Sequence, residues 1–300
     1  MSLYLPLIIH EKFCLGQAEI LFWWIFFGCD KTYCQEPVPY CRLRTDTGYF
    51  RSVQFAHRHL LSKLSDTSLN AYYYALKIDR LNHESWRDVT LSKALRAVPE
   101  QLAVHPLSLS IDDTMLEKEG KKFEFCSRLF DHAAHSGSHY LNGHCMVSIL
   151  LSFPVLADGS IRYLSVPLGY WLWDKKQTKL EIVSGMIRHA MDNIGPDRQI
   201  LLLCDNWYPK GCVASLVDEY QNLDIICNTR IDTVMYDLPP ACYSPRWKIE
   251  ISYYESNTFW SLEEYRVRSR EGIERLVNLE CMAYSAMTLL PYSDGFFSCY

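Results

Sequence analysis

The spacing of apolar positions divides the chain into three zones. From about Arg51 to Leu102 they recur at helical intervals: Leu60, Leu61 and Leu64, then Leu69, Tyr72, Tyr73 and Leu76 behind a Ser65-Asp66-Thr67 cap region, then Val89, Leu91, Leu95 and Val98. After Pro106 the period drops to two, with Leu107, Leu109 and Ile111 alternating with Ser108, Ser110 and Asp112, which predicts a strand ending at Asp113-Thr114. Further strands are predicted over Cys145 to Val155 and Tyr163 to Trp173, on either side of Asp158-Gly159, a hairpin signal. Lys175 to Ile194 carries a helical stripe of Leu180, Val183, Met186, Ile187, Ala190 and Met191 and stops at Gly195-Pro196. A short apolar run from Ile200 to Cys204, a helix over Val213 to Tyr220 and a strand over Asp224 to Cys227 follow. From Ser244 to Leu290 the pattern is helical again, with Ser244 suited to the N-cap and Pro245 to the first helical position.

The element order is therefore β-β-β-α-β-α-β between two helical zones, and the short apolar strands suit a sheet covered on both faces. This is the order of the RNase H-like fold. The predicted fold class is α/β, a mixed-sheet core flanked by helices. Residues 1–47 form a segment of unassigned role, 48–104 a helical region, 105–260 the mixed-sheet core and 261–300 a helical C-terminal segment.

Composition narrows the possibilities. With 49% hydrophobic and 22% charged residues, 13 Gly and 13 Pro, the chain has globular usage rather than that of a disordered or collagen-like protein. Thirty basic against 35 acidic residues give a net charge of −5, so any nucleic-acid contact must be local. Twelve cysteines are scattered without a C-x-x-C, which predicts reduced thiols and a cytoplasmic protein. The most apolar run, Ile20 to Phe27, is too short for a hydrocarbon core that needs about 20 residues, and no basic cluster precedes it, so neither a membrane span nor a signal peptide is expected.

Two carboxylates follow apolar strands, Asp113 and Asp205. Strand ends are where α/β sheets place their sites, although an aspartate there also caps a turn without any ligand. If the first and fourth strands are neighbours, the two carboxylates converge, and paired oxygen ligands suit Mg²⁺ or Mn²⁺. On a helix turning about 100° per residue, Arg246, Glu250 and Asn257 share one face with Tyr243 at its entrance. Such a face would aim Glu250 at a metal and Arg246 at a phosphate.

The segments S-I-D-D-T at Ser110 to Thr114, L-L-C-D-N-W-Y-P-K-G at Leu202 to Gly211 and Y-S-P-R-W-K-I-E at Tyr243 to Glu250 resemble the three catalytic blocks of bacterial DDE transposases of the insertion sequence four family. The resemblance runs from about Gly48 to Tyr292 and includes the stretches Arg128 to Ala134 and Leu141 to Cys145. It implies metal-dependent DNA cleavage and strand transfer by Asp113, Asp205 and Glu250, which would hold two Mg²⁺ or Mn²⁺ ions. It further implies that Tyr243, Arg246 and the residue at position 257 contact transposon-end DNA, that target DNA is bound, and that a homodimer forms in the DNA complex. Asp112 competes for the first position, but strand alternation sets it on the face opposite Ile111 and Asp113, and Asp113 directly before Thr114 matches the family pattern better. Two departures stand out. Asn257 replaces the signature lysine, and the interval from Asp205 to Glu250 lacks the family's long β-rich insertion. They predict an internally shortened copy impaired in transposition. An inactive remnant that still binds DNA or a partner, or a simple metal-dependent nuclease, remains as an alternative.

Other signals point elsewhere. His132, His135, His139 and His144 with Cys145 have spacings found in zinc sites but no second ligand pair. Asp46-Thr47-Gly48 copies the aspartic protease tripeptide without the apolar strand that motif needs, and a turn explains it. Trp171 and Trp173 suit edge-of-core packing more than base stacking. Arg266, Arg268, Arg270 and Arg275 are interspersed with Glu263, Glu264, Glu271 and Glu274, as paired surface charges are.

Overall fold

The alternating run after Pro106 becomes β1, Leu107–Glu117, the strand on which the sheet is organised. The computed structural model describes residues 53–58, 62, 66–77, 83–120, 122–131, 139–227, 244–260 and 262–292. The run Ile20 to Phe27, the Asp46-Thr47-Gly48 tripeptide, His132, His135 and Tyr243 lie outside the described residues. The other strands are β2 Ser127–Phe130, β3 Tyr140–Ala157, β4 Ser160–Leu172, β5 Ile200–Cys204 and β6 Leu223–Cys227.

β3 pairs antiparallel with β1 along one edge and with β4 along the other, while β5 lies parallel to β1 and β6 parallel to β5. The resulting order, β4-β3-β1-β5-β6, with the short β2 on the first turns of β3, is that of an RNase H-like mixed sheet. At the β3–β4 hairpin Asp158 and Gly159 both have positive φ, 51° and 72°, the conformation a tight two-residue turn between twisted strands requires.

β1 does not stop at Asp113 but runs on to Glu117. Its pairing with β5 ends at Ser110 opposite Leu203, whereas its pairing with β3 continues to Glu117 opposite Gly143. Asp112 and Asp113 therefore stand in mid-strand, beyond the reach of β5.

The serine and leucine alternation marks two buried faces rather than a wet and a dry one. On the first, Leu107, Leu109 and Ile111 join Leu202, Cys204 and helix α4 in the main core; α4 spans Lys179–Ile194. Each fully buried Leu or Ile contributes about 1.5–3 kcal/mol as an upper bound. On the second face Ser108, Ser110, Ser148 and Ser152 are also buried, with Ser148 hydroxyl 2.6 Å from Tyr253 hydroxyl on helix α6, Trp247–Trp260. Helix α7, Arg270–Leu289, packs on β4, where the Asn278 side chain accepts from Tyr170 N–H (3.0 Å) and donates to Tyr170 C=O (2.9 Å). An edge strand is thereby given the backbone partner it would otherwise lack.

Helix α4 starts at Lys179, four residues later than the expected Lys175, because Thr178 and Glu181 form a capping box. Helix α5, Leu216–Glu219, is a single turn. The last helical zone is two helices, and a 3-10 turn over Ser244–Arg246 precedes α6.

Contacts divide the chain into two compact units, residues 1–81 with 264–266, and residues 82–263 with 267–300. In the first, the described helices are α1, Val53–Ala56, and α2, Leu69–Ala75, the latter capped by Ser68. Helix α3, His83–Arg96, belongs to the second unit and sends Leu91 and Ala94 into its core, although its sequence groups it with the helical region before Leu107. No helix among the described residues is long and apolar enough to cross a membrane.

Candidate functional site

The two consecutive aspartates of β1 point to opposite faces, as strand geometry demands. Asp113 lies on the face of Leu109 and Ile111. Its Oδ2 accepts from the Lys179 ammonium at the start of α4 (2.7 Å) and from the Cys145 thiol (3.3 Å), and its Oδ1 accepts from the Tyr208 hydroxyl (2.7 Å). The Asp113 and Lys179 side chains are 18% and 19% exposed, so the pair is largely shielded from water. Burial pushes the Cys145 thiol up to about 12, helped by the adjacent Asp113 charge, and the Tyr208 phenol is pushed up for the same two reasons. Both groups therefore stay protonated and donate to Asp113.

Asp112 faces α6. Its carboxylate lies 3.6 Å from the Arg246 guanidinium, which also donates to Glu250 Oε1 at 3.2 Å. Burial raises the Asp112 carboxyl to about 7; the Asp113 N–H and Arg246 pull it down, while the charges of Glu250 and Asp113 push it further up. Two carboxylates thus share one guanidinium in a partly dry setting. Glu250 sits in the first turn of α6, where a negative charge suits the helix dipole.

Asp205 is the first residue past β5 and is half-buried, with its Oδ1 accepting from Trp207 N–H at 2.9 Å. Counting on two residues from the last β1–β5 pair, Ser110 opposite Leu203, reaches Asp112 and Asp205, so both stand at the same end of that strand pair. Asn257, one helical stretch further along α6, points its amide to Glu263 Oε1 at 3.4 Å.

Of the residues expected at the site, Arg246 and Glu250 come together, with Asp112 rather than Asp113 as their carboxylate neighbour. Asp113 is turned to the other face and fully engaged. Among the described residues no three His, Cys, Asp or Glu side chains group as ligands, whether Asp113 or Asp112 is taken with Asp205 and Glu250. Lys179 and Tyr208 carried no sequence signal as partners of Asp113, since they reach it from α4 and from the loop after β5.

No protein-family model matches the chain, and no curated protein matches it. Among solved structures it is similar to Mos1 complexes. A Mos1 strand transfer complex aligns at 11% identity and a TM-score of 0.30, covering 98% of this chain and 90% of that one. A Mos1 transposase paired-end complex with the left transposon end aligns at 12% identity and a TM-score of 0.22, covering 93% and 91%. At that level of superposition it is the strand order and register, not the likeness, that define the RNase H-like core.

The remaining sequence signals have local explanations. His144 is buried with Nε2 2.9 Å from Glu124 C=O, and its neighbour Cys145 points the other way to Asp113. His139 stacks on Phe130. Trp171 packs under the Arg87 guanidinium at 3.7 Å, and Arg270 pairs with Asp174 at 2.9 Å and with Glu274 at 3.4 Å.

Proposed function

We propose that this chain is a DDE-type transposase that cleaves and joins DNA at the ends of an insertion sequence, impaired by the short interval before Glu250. The observation that carries the proposal is the meeting of Asp112, Arg246 and Glu250 on one face of the RNase H-like sheet, at the end of β1 and β5 where Asp205 follows. A phosphodiester brought there meets a guanidinium suited to a phosphate oxygen and carboxylates suited to a hard divalent cation. We assign Asp112, Asp205 and Glu250 as the carboxylates of the site and Asp113 as the anchor of Lys179. Mg²⁺ or Mn²⁺, DNA ends, target DNA and a homodimer belong to the proposal as its cofactor and partners.

The test is Mn²⁺-dependent nicking and joining of a labelled duplex carrying the element ends. Activity abolished by Asp205→Ala, Glu250→Gln and Asp112→Asn supports the assignment. Activity that survives Asp112→Asn but not Asp113→Asn returns the first position to Asp113. A second function, DNA binding without cleavage, is favoured by one observation: the charge of Asp113 is already matched by Lys179 at 2.7 Å. Binding of the ends without nicking would establish it.

A further inference from the structure

We propose that the loops after β4 and β5 form a binding surface for single-stranded DNA, with Trp207 as the stacking platform for an unpaired base and Lys175 and Lys210 as phosphate contacts. The proposal rests on the DNA-processing function above and adds to it the surface that adjoins Asp205.

Trp207, two residues past Asp205, is 42% exposed. Its ring stands edge-on against Tyr208, at 5.1 Å between centroids, and Tyr208 is itself only 1% exposed. The indole is thus braced from below by a buried group rather than loosely placed. Lys210 Nζ lies 4.3 Å and Lys179 Nζ 5.9 Å from the Trp207 ring centre. Lys179 Nζ is also 5.1 Å from the ring of Trp173, over which Lys175 Nζ stands at 5.6 Å. Two indoles and three ammonium groups therefore form one continuous edge, with Lys179 between the rings.

The charges on this edge are not equivalent. Lys179 is taken by Asp113. Lys175 and Lys210 are exposed, and among the described residues neither forms an ion pair with a carboxylate. Of the carboxylates beside them, Asp174 accepts from Arg270 (2.9 Å) and from Lys176 N–H (3.0 Å), and Asp205 accepts from Trp207 N–H (2.9 Å), so neither is paired with Lys175 or Lys210. In a chain of net charge −5, this leaves a local positive rim around an aromatic surface.

An isolated exposed Trp needs no explanation. A braced one with the unpaired Lys210 ammonium over it, and Lys175 over the neighbouring Trp173, fits a ligand with a flat π face and a negative backbone. Bases in a duplex have their faces covered by their neighbours, so the fit is to unpaired bases. Cation–π contact holds Lys210 near the ring while no phosphate is present, and its flexible stem lets the ammonium reach a backbone oxygen when a base arrives.

The experiment measures binding of a labelled oligo-dT of about 12 nucleotides to the full chain by fluorescence anisotropy, without divalent cation. Binding is expected, and Trp207→Ala should weaken it by roughly 5-fold to 100-fold, while Trp207→Phe, which keeps a stacking face, should retain most of the affinity. Lys175→Ala and Lys210→Ala, which remove exposed side chains only, should each reduce the salt dependence by about 0.7 in the log–log slope. Oligo-dT affinity unchanged in Trp207→Ala, or no oligo-dT binding at all, overturns the proposal, and tighter binding of oligo-U overturns its assignment to DNA. The two proposals fail separately. Nicking of element ends without oligo-dT binding removes this surface and keeps the transposase, whereas oligo-dT binding lost in Trp207→Ala without nicking keeps the surface and removes the transposase.

Discussion

Adjacent in sequence, Asp112 and Asp113 meet opposite surroundings because successive strand residues face opposite sides of the sheet. Asp113 is enclosed by Lys179, Tyr208 and Cys145, while Asp112 meets Arg246 and Glu250. Replacing Lys179 by Met should destabilise the fold by about 2 kcal/mol, between the small effect of breaking an exposed pair and the 3–5 of a fully buried one. Adding Asp113→Asn to Lys179→Met should recover most of that loss, as measured by urea unfolding in a double-mutant cycle. Asp112 makes a pH prediction for the protein in chelator. Its folded carboxyl at about 7 lies above the unfolded value, so the folded state binds more protons in between. Stability from this group is complete below about pH 4 and is lost as pH rises to about 7, with a slope of at most about 1.4 kcal/mol per pH unit. Asp112→Asn should flatten that decline; an equal slope in wild type and variant counts against the assignment. The alternation L-S-L-S-I-D made it legible that the two aspartates diverge. Which of them meets Glu250 was not legible, because that depends on which face α6 covers and which α4 covers.

At the scale of elements, local patterns predicted most of the sheet. The Asp158-Gly159 turn acts over a few residues and was legible as a hairpin signal, whereas the capping box at Thr178, equally local, set the start of α4 four residues past the expected Lys175. The extension of β1 to Glu117 was not legible, since it depends on β3 continuing beside it after β5 has ended. The four-residue β2 is too short to show a period and exists by pairing with Tyr140 to Gly143 of β3. Close approach between elements also escapes sequence patterns. A Cβ on Gly169 of β4 would lie 2.8 Å from Arg87 Cδ of α3 and 3.0 Å from Asn278 Oδ1 of α7. Gly169→Ala should therefore cost about 1–3 kcal/mol through the displaced Asn278 bridge, seen as a lower urea midpoint with an unchanged slope. Wild-type stability in that variant would mean that Arg87 and Asn278 yield without loss.

For the whole molecule, thiol accessibility reports on the integrity of the second unit. Cys145 on β3, Cys204 on β5 and Cys281 on α7 are buried free thiols, and burial pushes each well above the ordinary thiol range. They should resist alkylation at pH 8 in the native protein and react together once urea unfolds it, as followed by mass spectrometry of the modified peptides. Early reaction of one of them would mean that its layer opens independently. The class of the fold, the order of its helices and of every strand but β2, and the blocks around Asp113, Asp205 and Glu250 were determined by the sequence alone, because periodicity, caps and turns act locally. Tertiary structure alone decided that the serine face of β1 is buried, that α3 joins the core unit, that Lys179 neutralises Asp113, and that Asp112 is the carboxylate set before Glu250. Those outcomes depend on which helix covers which face of the sheet, and residues distant in sequence settle that by packing and by pairing buried charges.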